Sequence, residues 1–167
     1  TATIRALKYN GRADLMSLKD SDCEAVERGL PNLEKHLENI LHFNVTPVVA
    51  INRFESDTQE EIDMVIKKAG ELGIRCAVAE VWAKGGEGAV DLARKVEEIA
   101  DSESPQFTPL YDWEWDVKKK IETLATRIYG AEYVDYTAQA KNDLKRITAL
   151  GLDRLPVCIA KTHLSFW

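Results

Sequence analysis

Short apolar runs alternate with helically spaced segments along this chain, and that alternation restricts the fold more than any other feature. "TATIRAL" (1–7), "TPVVAIN" (46–52), "CAVAEVW" (76–82) and "LPVCIAK" (155–161) have the continuous apolar or β-branched character of buried strands, with "EYVDYT" (132–137) a weaker fifth. Between them the period changes from that of a strand to that of a helix.

The first helical region runs from Asp20 to Phe43, where Leu33, Leu37, Ile40 and Leu41 form a stripe and the Gly29/Pro31 pair predicts a break. The second runs from Thr58 to Leu72, with Asp57 as N-cap, Glu60 at the capping-box position and Ile62, Val65, Ile66 and Ala69 facing inward, closed by Gly70 or Gly73. A third, from Ala89 to Ala100, buries Val90, Leu92, Ala93, Val96 and Ile99, and "DSESPQFTP" after it reads as a loop. Val117, Ile121, Leu124, Ala125 and Ile128 keep helical spacing up to Gly130, and a last helix covers Ala138 to Leu150. Strands alternating with helices predict an α/β fold, a mainly parallel sheet with flanking helices in a Rossmann-like three-layer arrangement. At 167 residues the expectation is a single domain over 1–167, with a sub-boundary in the 101–110 loop.

A net charge of −6 disfavours a broad nucleic-acid or anionic-membrane footprint. No apolar run approaches the roughly 20 residues of a membrane span and no basic-then-apolar leader opens the chain, so a soluble, cytoplasmic protein is expected. Cys23, Cys76 and Cys158 are an odd, scattered set without zinc spacing, which fits a reducing compartment. Cys76 and Cys158 lie in apolar runs and read as core. The chain opens on "TATIRALK" and stops at "AKTHLSFW", which reads as a piece cut from something longer.

In an open parallel sheet, ligands bind beyond the carboxyl ends of the strands. Two loops hold that position, "NRFESDT" (52–58) and "WAKGGEG" (82–88). Phe54 stands in a polar stretch where no core period accounts for it; it is either a hydrophobic staple near Ile62 or a ring offered to a ligand. Trp82 ends an apolar run, and Gly85, Gly86 and Gly88 after it allow positive φ and leave the backbone open to a flat heterocycle. Lys84 either meets an anionic group or is solvated, and Glu87 either accepts heterocycle N–H donors or complements the next helix dipole. Two rings on neighbouring loops can sandwich a third. "GGEG" is not a Walker A sequence, and no dinucleotide fingerprint follows a strand. His36, His42 and His163 lack an acidic partner at ligand or triad spacing, and "DWEWD" (112–116) reads as packing at the start of a helix in preference to a binding platform.

"ATIRALK", "GLPNLEKHLENI", "PVVAINRFESDT", "AEVWAKGGEGAVDLA", "KIETLATRIYGAEYVDY" and "LPVCIAKTHLS" occur in order over essentially the whole chain, and together they resemble the formate–tetrahydrofolate ligase family, also called formyltetrahydrofolate synthetase. That resemblance implies an enzyme that activates formate with ATP and Mg as formyl phosphate and passes the formyl group to N10 of tetrahydrofolate. It also implies that Phe54 and Trp82 sandwich the pterin, with Asn52, Lys84, Gly85, Gly86, Glu87 and Gly88 as further contacts. No catalytic residue is assigned here.

The chain departs from the family pattern at Glu55–Ser56, where a proline-stiffened edge is common, at Ala89, where a further glycine is frequent, and at Phe166–Trp167. The family's P-loop is not in this sequence, so the resemblance is to the middle of the enzyme, a folate-side segment not catalytic alone and without a cofactor of its own. Its implied partners are tetrahydrofolate, the remaining portions of the ligase and, in the full enzyme, further copies of itself. The alternatives are a non-catalytic α/β assembly or interaction module and a free-standing nucleotide-binding protein, the latter disfavoured by the missing phosphate loop.

Overall fold

A computed structural model describes residues 1–102, 104 and 106–160. The chain divides into two compact units, Thr1–Gln106 and Phe107–Trp167. It is an α/β protein. The first unit is built on strands β1 (Val48–Asn52) and β2 (Arg75–Ala79), which pair in parallel with Val48 opposite Arg75 and Asn52 opposite Ala79. Parallel neighbours need a crossover, and helix α3 (Gln59–Glu71) supplies it.

The opening segment is not a strand. Only Ala2 pairs with the sheet, bridging in parallel to Ile51 on the free edge of β1, after which Thr3 caps helix α1 (Ile4–Asn10) by accepting from the Ala6 N–H. Ile4, Leu7 and Lys8 are buried, the i, i+3, i+4 face of a helix; the β-branched start of "TATIRAL" hid that period.

Helix α2 (Cys23–Leu41) runs unbroken through Pro31, against the expected break. Gly29 is there for another reason: a Cβ on it would lie 2.0 Å from the Leu7 carbonyl oxygen, and one on Gly11 would lie 1.8 Å from that of Ala25. The two glycines let α1 and α2 touch backbone to backbone. Gly29→Ala improves helix propensity by about 1 kcal/mol yet forces these helices apart, so it is expected to destabilise by about 1–3 kcal/mol or more in denaturant melts. A gain in stability would mean that the contact is slack.

The cap of α3 is shifted by one residue from the expectation. Thr58 accepts from the Glu61 N–H and Glu61 reaches back to the Thr58 N–H, a complete capping box, while Asp57 is left for the loop before it. Glu61 has a second role, since its Oε1 lies 2.6 Å from the ammonium of Lys8, both side chains being 0% exposed. Around this pair the core collects Ile4, Leu7, Val26, Leu30, Leu33, Leu37, Val49, Ile51, Ile62, Val65 and Ala69.

In the second unit, Asp116 caps α6 (Val117–Arg127) and Thr137 caps α7 (Ala138–Ala149), with Gly130 and Gly151 both at φ 69° beyond the helix ends. The expected last strand is absent over 155–160, and "EYVDYT" is irregular too. Side chains take the backbone groups that a sheet would have used. The Tyr111 hydroxyl accepts from the Val157 N–H at 3.0 Å, and buried Lys120 donates to the carbonyls of Trp113, Arg154 and Leu155. In "DWEWD", Trp113 meets Tyr111 edge-on and Lys119 lies 3.6 Å above Trp115, so these rings pack locally as expected. Lys161, "THLS", His163 and Phe166–Trp167 lie outside the described residues.

Candidate functional site

The carboxyl edge of the two strands gathers the residues singled out above. Asn52 and Ala79 end β1 and β2 opposite each other, and the chain is held together one step further by the Arg53 N–H donating to Ala79 O at 3.0 Å. From there the two loops rise side by side.

On the β1 side, residues 54–57 close into a turn. The Phe54 N–H donates to Asp57 Oδ2 at 2.8 Å, and the Asp57 N–H returns to the Phe54 carbonyl at 3.0 Å. Asp57 is buried, and its carboxylate fixes the backbone that carries Phe54. The half-buried Phe54 ring has Arg5 on it: the guanidinium carbon stands 4.6 Å from the ring centroid, and Nη2 donates to Ser56 Oγ at 3.2 Å. Topology explains the meeting. Because Ala2 bridges to Ile51 in parallel, the residues three further along each segment, Arg5 and Phe54, emerge on the same edge.

On the β2 side the structure corrects the expectation that Trp82 ends a strand. The strand stops at Ala79; Trp82 lies in the one-turn helix α4 (Val81–Lys84) and is 82% exposed. An exposed indole of that degree has no packing function in the chain itself. "GGEG" is likewise not an open loop but a 3₁₀ turn over Gly85–Ala89, followed directly by α5 (Val90–Ser102). Helix α5 is therefore displaced by a residue or two from the expected 89–100, and its expected stripe is not buried: Val90, Ala93 and Val96 are exposed and Leu92 and Ile99 half-buried.

The three glycines differ in kind. Gly85 has φ 60° and ψ −143°, backbone that favours glycine. Gly88 packs on Glu80, where an added Cβ would lie 2.5 Å from carbonyl atoms, and its own carbonyl accepts the Glu80 N–H. Gly86 has neither constraint: its φ is ordinary and a Cβ would meet nothing within 4 Å. The fold itself makes no demand for glycine there.

Glu80 joins the two loops electrostatically. Its carboxylate is 2.5 Å from Lys84 Nζ and 3.5 Å from Arg53 Nη1, and the Lys84 ammonium, with Arg53 adding to it, holds the carboxyl below its ordinary value. Lys84 is thus paired with Glu80 within its own turn, with its side chain still 56% exposed. Glu87 is exposed on the 3₁₀ turn, and Asn52 is half-buried at the end of β1. Sequence reading missed Arg5, Glu80 and the turn-holding role of Asp57; the first two sat in segments read as strands and the third was assigned to the helix cap.

Other titratable groups do not gather here. Burial pushes the Cys76 thiol up to about 11, consistent with an inert half-buried residue, whereas Cys158 is exposed rather than core because its segment forms no strand. His42 Nε2 lies 3.9 Å from Glu38, an acidic neighbour one helical turn away that the spacing argument overlooked. Burial, with the N-terminal ammonium, holds His36 below its ordinary value. Among the described residues no group of three or more His, Cys, Asp or Glu side chains could hold a metal ion, and no helix is long and apolar enough to cross a membrane.

The sequence model of the family described as "Formate--tetrahydrofolate ligase" matches residues 1–167. Two relatives of that description, from Pseudothermotoga lettingae and Limosilactobacillus fermentum, are each 46% identical to the chain, over 164 and 165 residues. These alignments cover 98% and 99% of the chain but 29% and 30% of the relatives, so it spans a little under a third of their length.

Proposed function

This chain belongs to the formate–tetrahydrofolate ligase family, and from that premise we propose that residues 1–167 are the folate-side segment of such an enzyme, with Phe54 and Trp82 stacking on a pterin. The supporting observation is the placement of the two aromatic residues. Each lies two or three positions beyond the paired strand ends Asn52 and Ala79, one on a turn braced by Asp57 and Arg5, the other on an exposed one-turn helix. Stacking of a heterocycle on an aromatic side chain contributes about 1–3 kcal/mol per contact, enough to orient a ligand without any charge.

The reaction assigned to the whole enzyme is ATP-dependent formylation of tetrahydrofolate. This chain's part in it is to bind and orient the acceptor, holding the pterin so that its N10 side is presented to the formyl donor. The sequence has no G-x-x-x-x-G-K-[ST], so no residue of this chain is assigned to the phosphates of ATP. No phosphoryl step is therefore routed through this segment, and the chain alone is proposed to be inactive. The remaining portions of the ligase supply that half, and the two strands described here are part of a larger Rossmann-like three-layer sheet completed by those portions.

Gly86 gives the reading a sharp check. Gly86→Ala should leave the melting temperature unchanged and weaken binding of a reduced folate at least ~10-fold if the backbone touches the ring, a loss of about 1.4 kcal/mol. Gly88→Ala, by contrast, should destabilise the fold through its clash with Glu80. Calorimetric titration of the chain with 5-formyltetrahydrofolate tests the proposal itself: saturable heat in the parent, lost in Phe54→Ala, supports it, and no heat from a folded parent rejects it.

A second reading, an assembly module, is favoured by a groove in which Pro31, Leu37, Leu41, Leu72 and Ile74 are rimmed by Glu34, Lys35 and Glu38, with Leu41 and Leu72 about half exposed. Sedimentation across a range of concentrations tests it, since a module of this kind self-associates.

A further inference from the structure

Phe54 has two faces, and the structure has already committed one of them. The Arg5 guanidinium stands 4.6 Å from the ring centroid, tied at its far end to Ser56 on the same loop. The guanidinium covers one face of the ring, and the turn closed by Asp57 fixes the backbone that carries it. A cation on one face of an aromatic ring draws on its π density, so the opposite face becomes electron-poor and favours an electron-rich partner.

We propose that Arg5 is a specificity-determining positioning residue, which makes the free face of Phe54 prefer an electron-rich, reduced pteridine over an electron-poor, oxidised one. Arg5 does not touch the ligand and carries out no chemistry. The inference rests on the proposed stacking of a pterin on Phe54. Two further features support a designed contact. Arg5 is placed near Phe54 because α1 begins two residues after the Ala2–Ile51 bridge, and its Nε is buried without a hydrogen-bond partner, so the guanidinium is directed to the ring by something other than its full complement of polar contacts.

The test is a pair of titrations, with 5-formyltetrahydrofolate and with oxidised folic acid, on the full chain and on Arg5→Met, Arg5→Lys and Ser56→Ala. The quantity read is the ratio of the two dissociation constants. Arg5→Met should lower the preference for the reduced ligand ~2–5-fold, and Arg5→Lys should restore most of it by returning a cation to the same face. Ser56→Ala, which keeps the cation but loosens its tether, should give an intermediate ratio and serves if Arg5→Met fails to fold. Equal weakening of both ligands in Arg5→Met would make Arg5 a structural support only and overturn the inference while leaving pterin binding intact. A folded parent that binds neither ligand would remove the stacking reading and the inference with it.

Discussion

Glu61→Ala is expected to cost about 3–5 kcal/mol of folding stability, the largest single effect anticipated for the first unit. Removing one partner of a fully buried pair leaves the other charge without compensation. Lys8 would then keep only the Asp20 carbonyl, at 2.7 Å, for its ammonium, while the Asp22 N–H and both Thr58 donors would lose the carboxylate that now accepts them at 2.9–3.0 Å. The paired replacement Lys8→Met with Glu61→Leu should cost less than either single change. If the single variant melts within 1 kcal/mol of the parent, the pair is not the buried link between α1 and α3 described above.

The same carboxylate sets an acid limit. Burial by itself would raise the Glu61 carboxyl, but the Lys8 ammonium, the Asp22 and Thr58 N–H groups and the Thr58 hydroxyl together outweigh it and hold the group below its ordinary value. A carboxyl depressed in the folded state stabilises fully above its unfolded pKa of about 4.3, and that contribution is lost as pH falls through the lower folded value. The parent should therefore lose stability below about pH 4, and Glu61→Gln should lack that part of the loss, a comparison made by denaturant melts at stepped pH.

Trp82→Ala is the second large effect, this time on binding. The indole is 82% exposed, so its removal should change stability by no more than about 0.5 kcal/mol. Loss of a stacking face should weaken reduced-folate binding ~10–100-fold, measured by calorimetry on the folded variant. A variant that unfolds would instead place Trp82 in the packing of the chain, contrary to its exposure.

How much of this was legible beforehand depended on which signal each element carried. β1 was plain because Val48–Ile51 is a continuous apolar run between Pro47 and Asn52, whereas β2 was found but carried too far, because Val81 and Trp82 continue the apolar run past Glu80. α3 and α6 were plain because Ile62, Val65 and Ala69 in one and Val117, Ile121 and Leu124 in the other keep helical spacing. The opening helix was hidden by its length, seven residues, and by Lys8 taking a buried position that reads as polar. Pro31 misled because proline marks a helix end only by default; a helix pinned along Val26, Leu30, Leu33 and Leu37 tolerates the lost hydrogen bond.

The candidate site was proposed from its rings, and the residues that brace them were not read. Phe54 stood out because no core period accounts for it in a polar stretch, and Trp82 because Gly85, Gly86 and Gly88 follow it. Arg5, Asp57 and Glu80 did not, since an arginine in a strand-like run, an aspartate before a helix and a glutamate among valines and alanines each have an ordinary explanation. Only the parallel bridge at Ala2 and the strand ends at Asn52 and Ala79 show that they converge. The glycine run was read as one feature and is three: a positive-φ position, an unconstrained one and a contact with Glu80.

The central claim is that one pterin sits against both Phe54 and Trp82, and at 18.8 kDa the chain suits a direct measurement of it by NMR. With 5-formyltetrahydrofolate bound, the account predicts intermolecular nuclear Overhauser effects from pteridine protons to the ring protons of both residues, and a shifted Gly86 amide. Effects confined to other residues, or to one ring with the other unperturbed, would contradict it.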